Sequence, residues 1–324
     1  MATTRVLVAI AALVSATVPA PAQNWPNRAL TMVVPFAAGG PSDIVGRILA
    51  LHLSGALKQE VIVENVGGAG GMTGVSRAAK AAPDGYQVVL GNMGTHAANQ
   101  TLNKRPLYNA ITDFTPIALV AETPLVLLAR KDLPAENLPE FIAYAKANQA
   151  NMHFASSGAG GSNHLACMLL NSRIGIEVMH VPYRNVVQGM QDVIAGRIDY
   201  DCLSLPLALP QIEAQSVKPI ALLSKNRSKA LPDLASADEQ GLTGFDVPSW
   251  YALFLSAATP PAIVQKLNRA TVAALEVPVI QQRLQQIGGD VIAPERRSPE
   301  YLAQFLAAEI KKWEAPIKAS GISF

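Results

Sequence analysis

Three glycine-rich turns are the strongest candidates for a binding site in this sequence. They span residues 35–43, 67–74 and 156–164, and the first and third each join a β-rich run to a helical pattern. Glycine lets a backbone approach a ligand closely, and a helix start offers unpaired N–H groups with positive dipole character. A single turn of this kind would most simply be an ordinary tight connection between a strand and a helix. Two comparable turns in different halves of the chain favour a site that grips an anion from both sides.

The turns lack the spacing of nucleotide-binding motifs. No lysine follows any of them, so the G-x-x-x-x-G-K-[ST] phosphate loop is absent. The dinucleotide pattern G-x-G-x-x-G also fails, because Thr73 and Asn163 occupy the positions where its last glycine is required. We therefore expect neither nucleotide nor any other cofactor.

Catalytic and metal-binding patterns are also missing. Ala155 and Ala159 flank Ser157 where a G-x-S-x-G nucleophile turn needs glycine. No H-E-x-x-H or other metal spacing connects the five histidines. The histidines are His52, His96, His153, His164 and His180. Only His164 begins a helix beside a candidate turn, where it could donate to a carboxylate or simply fasten the loop. We expect no enzyme and no metal.

Composition narrows the class of protein further. The 324 residues carry 26 Lys+Arg against 24 Asp+Glu, and 50% of them are hydrophobic. Such a chain has ample material for a buried core and is not intrinsically disordered. A net charge of +2 without a run of basic residues does not indicate the basic surface that nucleic-acid binding needs.

The two cysteines exclude a disulfide scaffold and a four-thiolate metal site. Cys167 and Cys202 could pair in an oxidising periplasm or remain buried free thiols. Sequence alone cannot place their Cα atoms within the ~4.4–6.8 Å that a bridge needs. We slightly favour free thiols.

Residues 1–22 are typical of a secretory signal peptide. Arg5 precedes an apolar stretch, and Ala20-Pro21-Ala22 supplies the small residues of a cleavage site before Gln23. The stretch is shorter than the ~20 apolar residues that span a bilayer. We expect the signal peptide to be cleaved near Ala22 and the mature protein to be soluble and periplasmic.

The rest of the chain alternates strands with helices. Strand-like runs lie at 30–36, 61–65, 87–91, 117–120, 125–129, 152–155, 177–181, 198–203, 219–223 and 251–255. Helical patterns lie at 42–57, 74–81, 138–148, 163–174 and 187–195, and two longer helices begin at Pro261 and Pro299. This alternation predicts an α/β protein with βαβ units and largely parallel sheets.

If the fold has two lobes, the chain must cross between them through short segments. Residues 114–130 are the best first crossing, because two β-rich runs meet there at Glu122-Thr123-Pro124. Residues 223–250 are the best return. We place lobe I at 23–122 and 243–324, and lobe II at 123–242.

Motifs along nearly the whole mature chain resemble those of Bug-type solute receptors, the extracytoplasmic binding proteins of tripartite tricarboxylate transporters. The motifs are Trp25-Pro26-Asn27-Arg28, Val34-Pro35-Phe36-Ala37-Ala38-Gly39-Gly40-Pro41-Ser42-Asp43, Val63-Glu64-Asn65, Gly68-Ala69-Gly70-Gly71, Ala82-Pro83-Asp84-Gly85-Tyr86, His164-Leu165, Val181-Pro182-Tyr183, Ala195-Gly196, Pro248-Ser249-Trp250 and residues 309–313. The resemblance implies a two-lobed periplasmic-binding-protein (Venus-flytrap) fold that closes over a small carboxylate. It also implies delivery to transporter membrane subunits, and we expect a monomer.

The resemblance also implies a set of ligand-binding residues. On lobe I these are Phe36, Ala37, Gly40, Ser42, Asp43 and Thr95. On lobe II these are Ser156, Ser157, Gly160, Gly161, Ser162, His164 and Tyr183. Asp43 would repel a carboxylate, so we expect its side chain to be mainly structural.

Four positions differ from the family's pattern and leave the ligand open. Asn185 stands where glycine is usual, Asp201 and Cys202 lie in a segment that is commonly apolar, and Leu203 replaces a frequent acid. If Asp201 faces the cleft, it disfavours a second carboxylate nearby and favours a ligand with a hydrogen-bond donor at its far end. If it faces away, we expect ordinary dicarboxylates. A receptor that feeds a signalling protein, or an exported hydrolase, is the alternative function.

Overall fold

The computed structural model describes residues 24–319 and residue 323. The predicted signal peptide over residues 1–22 lies outside the described residues. The strands are β1 (Leu30–Val34), β2 (Val61–Asn65), β3 (Gln87–Asn92), β4 (Phe114–Thr123), β5 (Leu125–Arg130), β6 (His153–Ser156), β7 (Met179–Pro182), β8 (Tyr200–Ser204), β9 (Val217–Leu222), β10 (Ser249–Ser256) and β11 (Asp290–Val291). The helices are α1 (Pro41–Leu57), α2 (Met72–Ala79), α3 (Asn99–Leu102), α4 (Leu138–Asn148), α5 (Ser162–Ile174), α6 (Val186–Ile194), α7 (Leu205–Glu213), α8 (Pro261–Glu276), α9 (Pro278–Gln286) and α10 (Pro299–Ala319).

The strands form two sheets, each covered by its own helices. One sheet has the order β11-β4-β10-β3-β1-β2, and α1–α3 and α8–α10 pack on it. The other has the order β7-β6-β8-β5-β9, and α4–α7 pack on it. We call the first sheet with its helices lobe I and the second lobe II. The predicted two-lobed α/β fold is confirmed.

The chain crosses between the lobes twice. The first crossing is abrupt, because only Pro124 separates β4 of lobe I from β5 of lobe II. The second lies between β9, which ends at Leu222, and β10, which begins at Ser249. The sequence predicts crossings within residues 114–130 and 223–250.

The sheets are mixed, so the expectation of largely parallel sheets is wrong. β1 runs parallel to β2 and β3, and β6 runs parallel to β7 and β8. β10 is antiparallel to β3 and β4, and β5 is antiparallel to β8 and β9. β5 and β10 are the strands that have just crossed from the other lobe. They enter their sheets from the opposite end to the strands of the βαβ units.

The C-terminal helices serve as structural cover, as the sequence predicts. α8 buries Ile263 and Leu267, and α10 buries Leu302, Leu306 and Trp313. The indole N–H groups of Trp250 and Trp313 both donate to Glu309 Oε2, at 2.8 and 3.2 Å. These contacts pair a buried carboxylate with two buried donors, as burial requires.

A disulfide joins Cys167 of α5 to Cys202 of β8, so the expectation of free thiols is wrong. The two Cα atoms lie 5.4 Å apart, within the range that a bridge spans. The helix packs directly on the strand, which sequence separation alone does not reveal. Within the described residues, no helix combines the length and the apolar character needed to cross a membrane.

Candidate functional site

A cavity of about 550 Å³, including the part open to solvent, lies between the two lobes. Lobe I contributes the first glycine turn, the start of α1 and the end of β3. The lining residues from this lobe are Phe36, Ala37, Gly40, Pro41, Ser42 and Asn92. The amide of Asn92 caps the next turn by accepting from the Thr95 backbone N–H at 3.0 Å. Its Nδ2 group makes no hydrogen bond to any described residue and is left for a ligand.

Lobe II contributes the third glycine turn, the start of α5 and the loop before α6. The lining residues from this lobe are Ser157, Ser162, Asn163, Arg184, Asn185 and Val186. The departure at Asn185 is explained locally, because its backbone is extended and its side chain caps α6 through the Val187 N–H at 2.8 Å. It is an N-cap, and no left-handed backbone is required there.

A third set of lining residues comes from the strands at the crossings. Leu125 of β5 and Leu203 and Ser204 of β8 belong to lobe II, and Ser249 and Tyr251 of β10 belong to lobe I. Ser204 Oγ lies 3.1 Å from Thr123 Oγ1 and 3.4 Å from the Tyr251 hydroxyl. The region around the crossings is therefore a cluster of neutral hydroxyl groups between apolar side chains.

Two helix N-termini meet at the cavity, one from each lobe. α1 begins at Pro41 and α5 at Ser162, and the first two residues of both helices line the cavity. The N–H groups of a first helical turn have no partner within the helix, and the helix dipole is positive there. The buried Ser162 Oγ also makes no hydrogen bond within the described chain. Together these groups offer donors to an anion from both sides.

The charge of the lining favours an anion as well. Arg184 is the only charged residue that lines the cavity in the part of the chain described, and it is exposed. It forms no ion pair with another described residue, whereas most other arginines of the molecule are paired. The sequence gives Arg184 no clear role, and the structure places it at the cavity.

Asp43 lies behind the first turn and does not line the cavity. Its Oδ2 accepts from the Gly39 N–H at 2.9 Å and from Arg47 Nε at 3.0 Å, and its Oδ1 accepts from Asn65 Nδ2 at 2.9 Å. Burial alone would raise the pKa of Asp43, but the hydrogen bonds from Arg47, Gly39 and Asn65 together hold that pKa below its usual value. These contacts support the mainly structural role expected for this carboxylate.

Asp201 is fully buried behind the third turn and also does not line the cavity. Its carboxyl group accepts from Asn163 Nδ2 at 3.2 and 3.3 Å and from the Cys202 N–H at 2.7 Å. Burial raises the pKa of Asp201 to about 8, against the opposing effect of these hydrogen bonds. Asn163 in turn contacts Ser157, so the buried carboxyl group is connected to the lining.

His164 fastens the third turn from behind and does not line the cavity. Its Nδ1 lies 3.3 Å from the Gly160 N–H, and its ring lies 4.3 Å from that of His180. His180 Nε2 is hydrogen-bonded to Ser156 Oγ. Burial lowers the pKa of His164 to about 3, with a smaller effect from His180, whose own pKa burial lowers to about 4. Both imidazoles are therefore neutral at ordinary pH.

The structure divides the predicted ligand residues into two groups. Those that line the cavity are Phe36, Ala37, Gly40, Ser42, Ser157 and Ser162. Those that do not are Asp43, Thr95, Ser156, Gly160, Gly161, His164 and Tyr183. Members of the second group contact the turns or the elements beside them instead. Tyr183, for example, donates its hydroxyl to Asp192 Oδ2 at 2.6 Å, and burial together with Asp192 raises its pKa to about 12.

The second glycine turn does not line the cavity but touches the third turn across the cleft. A Cβ atom added at Gly70 would lie 2.2 Å from the Ala159 carbonyl oxygen, and one added at Gly94 would lie 2.6 Å from the Gly160 carbonyl oxygen. Gly70 also has a φ of 62°, in the left-handed region. Glycine is required here because two backbones from different lobes meet.

The sequence did not predict the lining residues near the crossings. It also did not predict that the lining includes Pro41, Asn92, Asn163, Arg184, Asn185 and Val186. The crossings themselves were the available signal, since residues that join two lobes must lie next to the cleft between them. Asn163 lies inside the third turn, but the sequence does not show which side chains of a turn face the cleft. Among the described residues, no group of three or more His, Cys, Asp or Glu could hold a metal ion.

Comparison with known proteins gives a consistent result. Residues 45–322 match the family described as Tripartite tricarboxylate transporter family receptor. The structure of the periplasmic binding protein BugD is 35% identical and superimposes with a TM-score of 0.88, covering 92% of this chain and 99% of that one. MatC of Rhodopseudomonas palustris, with bound malate, is 38% identical with a TM-score of 0.87, covering 90% and 100% of the two chains. A second R. palustris protein, with adipate, is 31% identical with a TM-score of 0.87, covering 92% and 99%.

Proposed function

The chain belongs to the receptor family of the tripartite tricarboxylate transporters, and from that premise we propose that it captures a small organic acid in the periplasm. The acid binds between the lobes and is delivered to the membrane subunits of a tripartite tricarboxylate-type transporter. Similar proteins of this family are solute-binding receptors, not enzymes. Export through a signal peptide over residues 1–22 and action as a monomer are parts of the same proposal.

The observation that carries this proposal is the meeting of two helix N-termini at a cavity to which the described residues contribute no acidic side chain. Ser42 and Ser162 stand at those two termini, one on each lobe. Hydrogen bonds to a charged group contribute about 1.5–3 kcal/mol each, so several neutral donors can offset the desolvation of one carboxylate. The first acid group of the ligand is therefore held without a salt bridge.

We assign a second acid group of the ligand to Arg184. This side chain is exposed at the cavity and free of ion pairs with the described residues. A dicarboxylate would place one end on the helix termini and the other beside the guanidinium group. Malate in MatC and adipate in the second R. palustris protein are both dicarboxylates, which supports the same class of ligand here.

The lobe limits belong to this proposal too. We place lobe I at 23–122 and 243–324 and lobe II at 123–242. The sheet assignments support these limits to within a residue at the first crossing, since β4 ends at Thr123 and β5 begins at Leu125. Lobes joined by two short crossings can close over a ligand by bending at the hinge.

A thermal-shift screen with C4–C9 dicarboxylates, citrate, amino acids and aromatic acids tests the function. At a hundredfold excess over Kd, binding adds about 2.7 kcal/mol to stability, which raises the midpoint of unfolding visibly. Each active dicarboxylate is compared with its neutral diamide, which keeps the carbon chain but removes both charges. We expect a shift with the acid and none with the diamide. No shift with any acid, together with binding of a neutral sugar, would overturn the proposal.

A further inference from the structure

We propose that Ser157 accepts a hydrogen bond from the ligand, so that this receptor prefers hydroxy-substituted dicarboxylates to their unsubstituted counterparts. Asp201 enforces this preference from behind the cavity, through Asn163. The inference rests on the proposed function and names the substrate class of the same site.

The backbone N–H of Ser157 is a group that can only donate a hydrogen bond. The backbone N–H of Ser157 lies 3.2 Å from one terminal atom of the Asn163 amide. A backbone N–H only donates, so the atom that faces it must be the oxygen Oδ1. The orientation of the Asn163 amide is thus fixed, and its Nδ2 group points to the other side.

That other side is occupied by the buried carboxyl group of Asp201. Asp201 Oδ1 accepts both from Asn163 Nδ2 at 3.2 Å and from the Cys202 backbone N–H at 2.7 Å. Because the Cys202 N–H also only donates, Oδ1 remains an acceptor whether or not the carboxyl group carries a proton on Oδ2. Asp201 therefore stabilises the same amide orientation in both protonation states.

In this arrangement the hydroxyl proton of Ser157 is already engaged in a hydrogen bond. Ser157 Oγ lies 2.9 Å from Asn163 Oδ1, and an amide oxygen cannot donate. The serine hydroxyl must donate to Asn163, and it retains only lone pairs for any other partner. Since Ser157 lines the cavity, the ligand meets a hydrogen-bond acceptor at this point.

Ser162 presents the opposite character only five residues away in the chain. Its Oγ has no partner within the described chain, so its proton is free to donate to a carboxylate. A carboxylate oxygen would face lone pairs at Ser157, whereas a hydroxyl group would donate there. An ammonium group would donate as well, but among the described residues no acidic side chain lines the cavity to balance its charge. A hydroxyl substituent therefore fits best.

The surrounding scaffold keeps this relay in place. Cys167 lies one helical turn after Asn163 on α5, and Cys202 follows Asp201 on β8. Their disulfide joins the helix that carries the amide to the strand that carries the carboxyl group. The distance between Asn163 and Asp201 is thus held by a covalent bond close to both.

Calorimetric titration with matched pairs of acids tests the inference. The pairs are succinate with malate, and glutarate with 2-hydroxyglutarate. One neutral hydrogen bond contributes enough to tighten binding roughly three- to tenfold, and we expect the hydroxy acid of at least one pair to bind more tightly by that factor. Ser157→Ala should abolish the preference, so that the two acids of a pair bind with affinities within about twofold of each other.

Two variants of Asp201 separate positioning from folding. Asp201→Asn keeps an oxygen in the place of Oδ1 and should retain the preference. Asp201→Leu removes the acceptor and should reduce the preference, although it changes no residue that lines the cavity. The ratio of the two affinities is informative because a general loss of protein stability would weaken the binding of both acids alike.

The outcomes also distinguish this inference from the function on which it rests. If acids bind but wild type shows no preference for the hydroxy acid of either pair, or if Ser157→Ala retains the preference, the inference is overturned and the function stands. Tighter binding of aspartate than of malate would also overturn it, in favour of an ammonium donor. If no acid binds at all, the proposed function fails together with the inference.

Discussion

At the scale of single residues, the proposed binding mode gives the two carboxylates of the ligand different partners. One end meets neutral donors at the helix termini, and the other meets an exposed guanidinium group. An exposed ion pair is worth up to about 1 kcal/mol. We therefore expect Arg184→Gln to weaken dicarboxylate binding about three- to fivefold and to leave monocarboxylate binding nearly unchanged.

The measurement is affinity at two salt concentrations for a dicarboxylate and its monoamide. Wild type should lose affinity for the dicarboxylate as salt rises, since salt screens exposed charges over about 8–10 Å, and the variant should lose less. Arg269→Gln is the matched control, because Arg269 is exposed on α8 and does not line the cavity. Equal effects of both variants would show that Arg184 acts only through net charge.

The contacts of a single side chain can be predicted from the sequence where its charge permits only one arrangement. Asp43 could be predicted as structural because a carboxylate beside a bound carboxylate is repelled, and it accepts from its own turn instead. The contact between Asn163 and Asp201 could not be predicted, because it joins residues 38 apart in the chain. Whether Ser157 offers a donor or an acceptor to a ligand depends on that contact, so it could not be predicted either.

At the scale of elements, the contact between the second and third glycine turns controls how closely the lobes approach. Gly70→Ala would place a Cβ atom 2.2 Å from the Ala159 carbonyl oxygen, so the lobes cannot close as they do in this structure. If closure becomes ten times less favourable, the apparent affinity for the acid falls about tenfold. We expect that loss in a calorimetric titration.

Gly175→Ala is the matched control for this prediction. Gly175 has a similar φ of 70° but nothing lies within 4 Å of an added Cβ atom. Both variants pay the same cost of a left-handed backbone, about 1–2 kcal/mol, and should lose similar stability. Only Gly70→Ala should lose affinity. Unchanged binding by Gly70→Ala would show that the turns need not touch when the ligand is held.

The sequence predicted elements well where hydrophobic pattern and turn residues agree. All ten predicted strands exist, and Pro261 and Pro299 begin their helices as expected. α7 was missed because it contains Pro206 and Pro210, and proline usually argues against a helix. The direction of β5 and β10 was also missed, because it follows from the crossing of the chain between lobes and not from any local pattern.

At the scale of the whole molecule, three buried groups and the partly buried His180 make the stability of the described structure depend on pH in two opposite ways. Burial lowers the pKa of His96 and His164 to about 3 and that of His180 to about 4, from an ordinary value of 6.5. Burial raises the pKa of Asp201 to about 8, from 3.8. The other strongly raised values belong to tyrosines and Arg296 and lie outside the neutral range.

The sign of each effect follows from proton binding in the two states. Between about pH 4 and 6.5 the unfolded chain binds protons on the three histidines that the folded chain does not, so stability rises with pH. The folded chain holds one extra proton on Asp201 between about pH 4 and 8, which opposes that rise and lowers stability as pH increases. Three protons outweigh one below pH 6.5, and Asp201 acts alone above it.

We therefore expect maximal stability near pH 6.5, with a steeper fall on the acid side than on the alkaline side. Urea unfolding midpoints between about pH 4.5 and 8.5 measure both slopes if unfolding is two-state. Asp201→Asn removes the titrating carboxyl group but keeps an acceptor for Asn163, so it should flatten the alkaline slope and leave the acid slope in place. A flat profile between pH 4.5 and 6.5 in wild type would contradict the neutral, buried histidines. An alkaline slope that persists in Asp201→Asn would assign it to a group other than Asp201, because the variant cannot release a proton at that position.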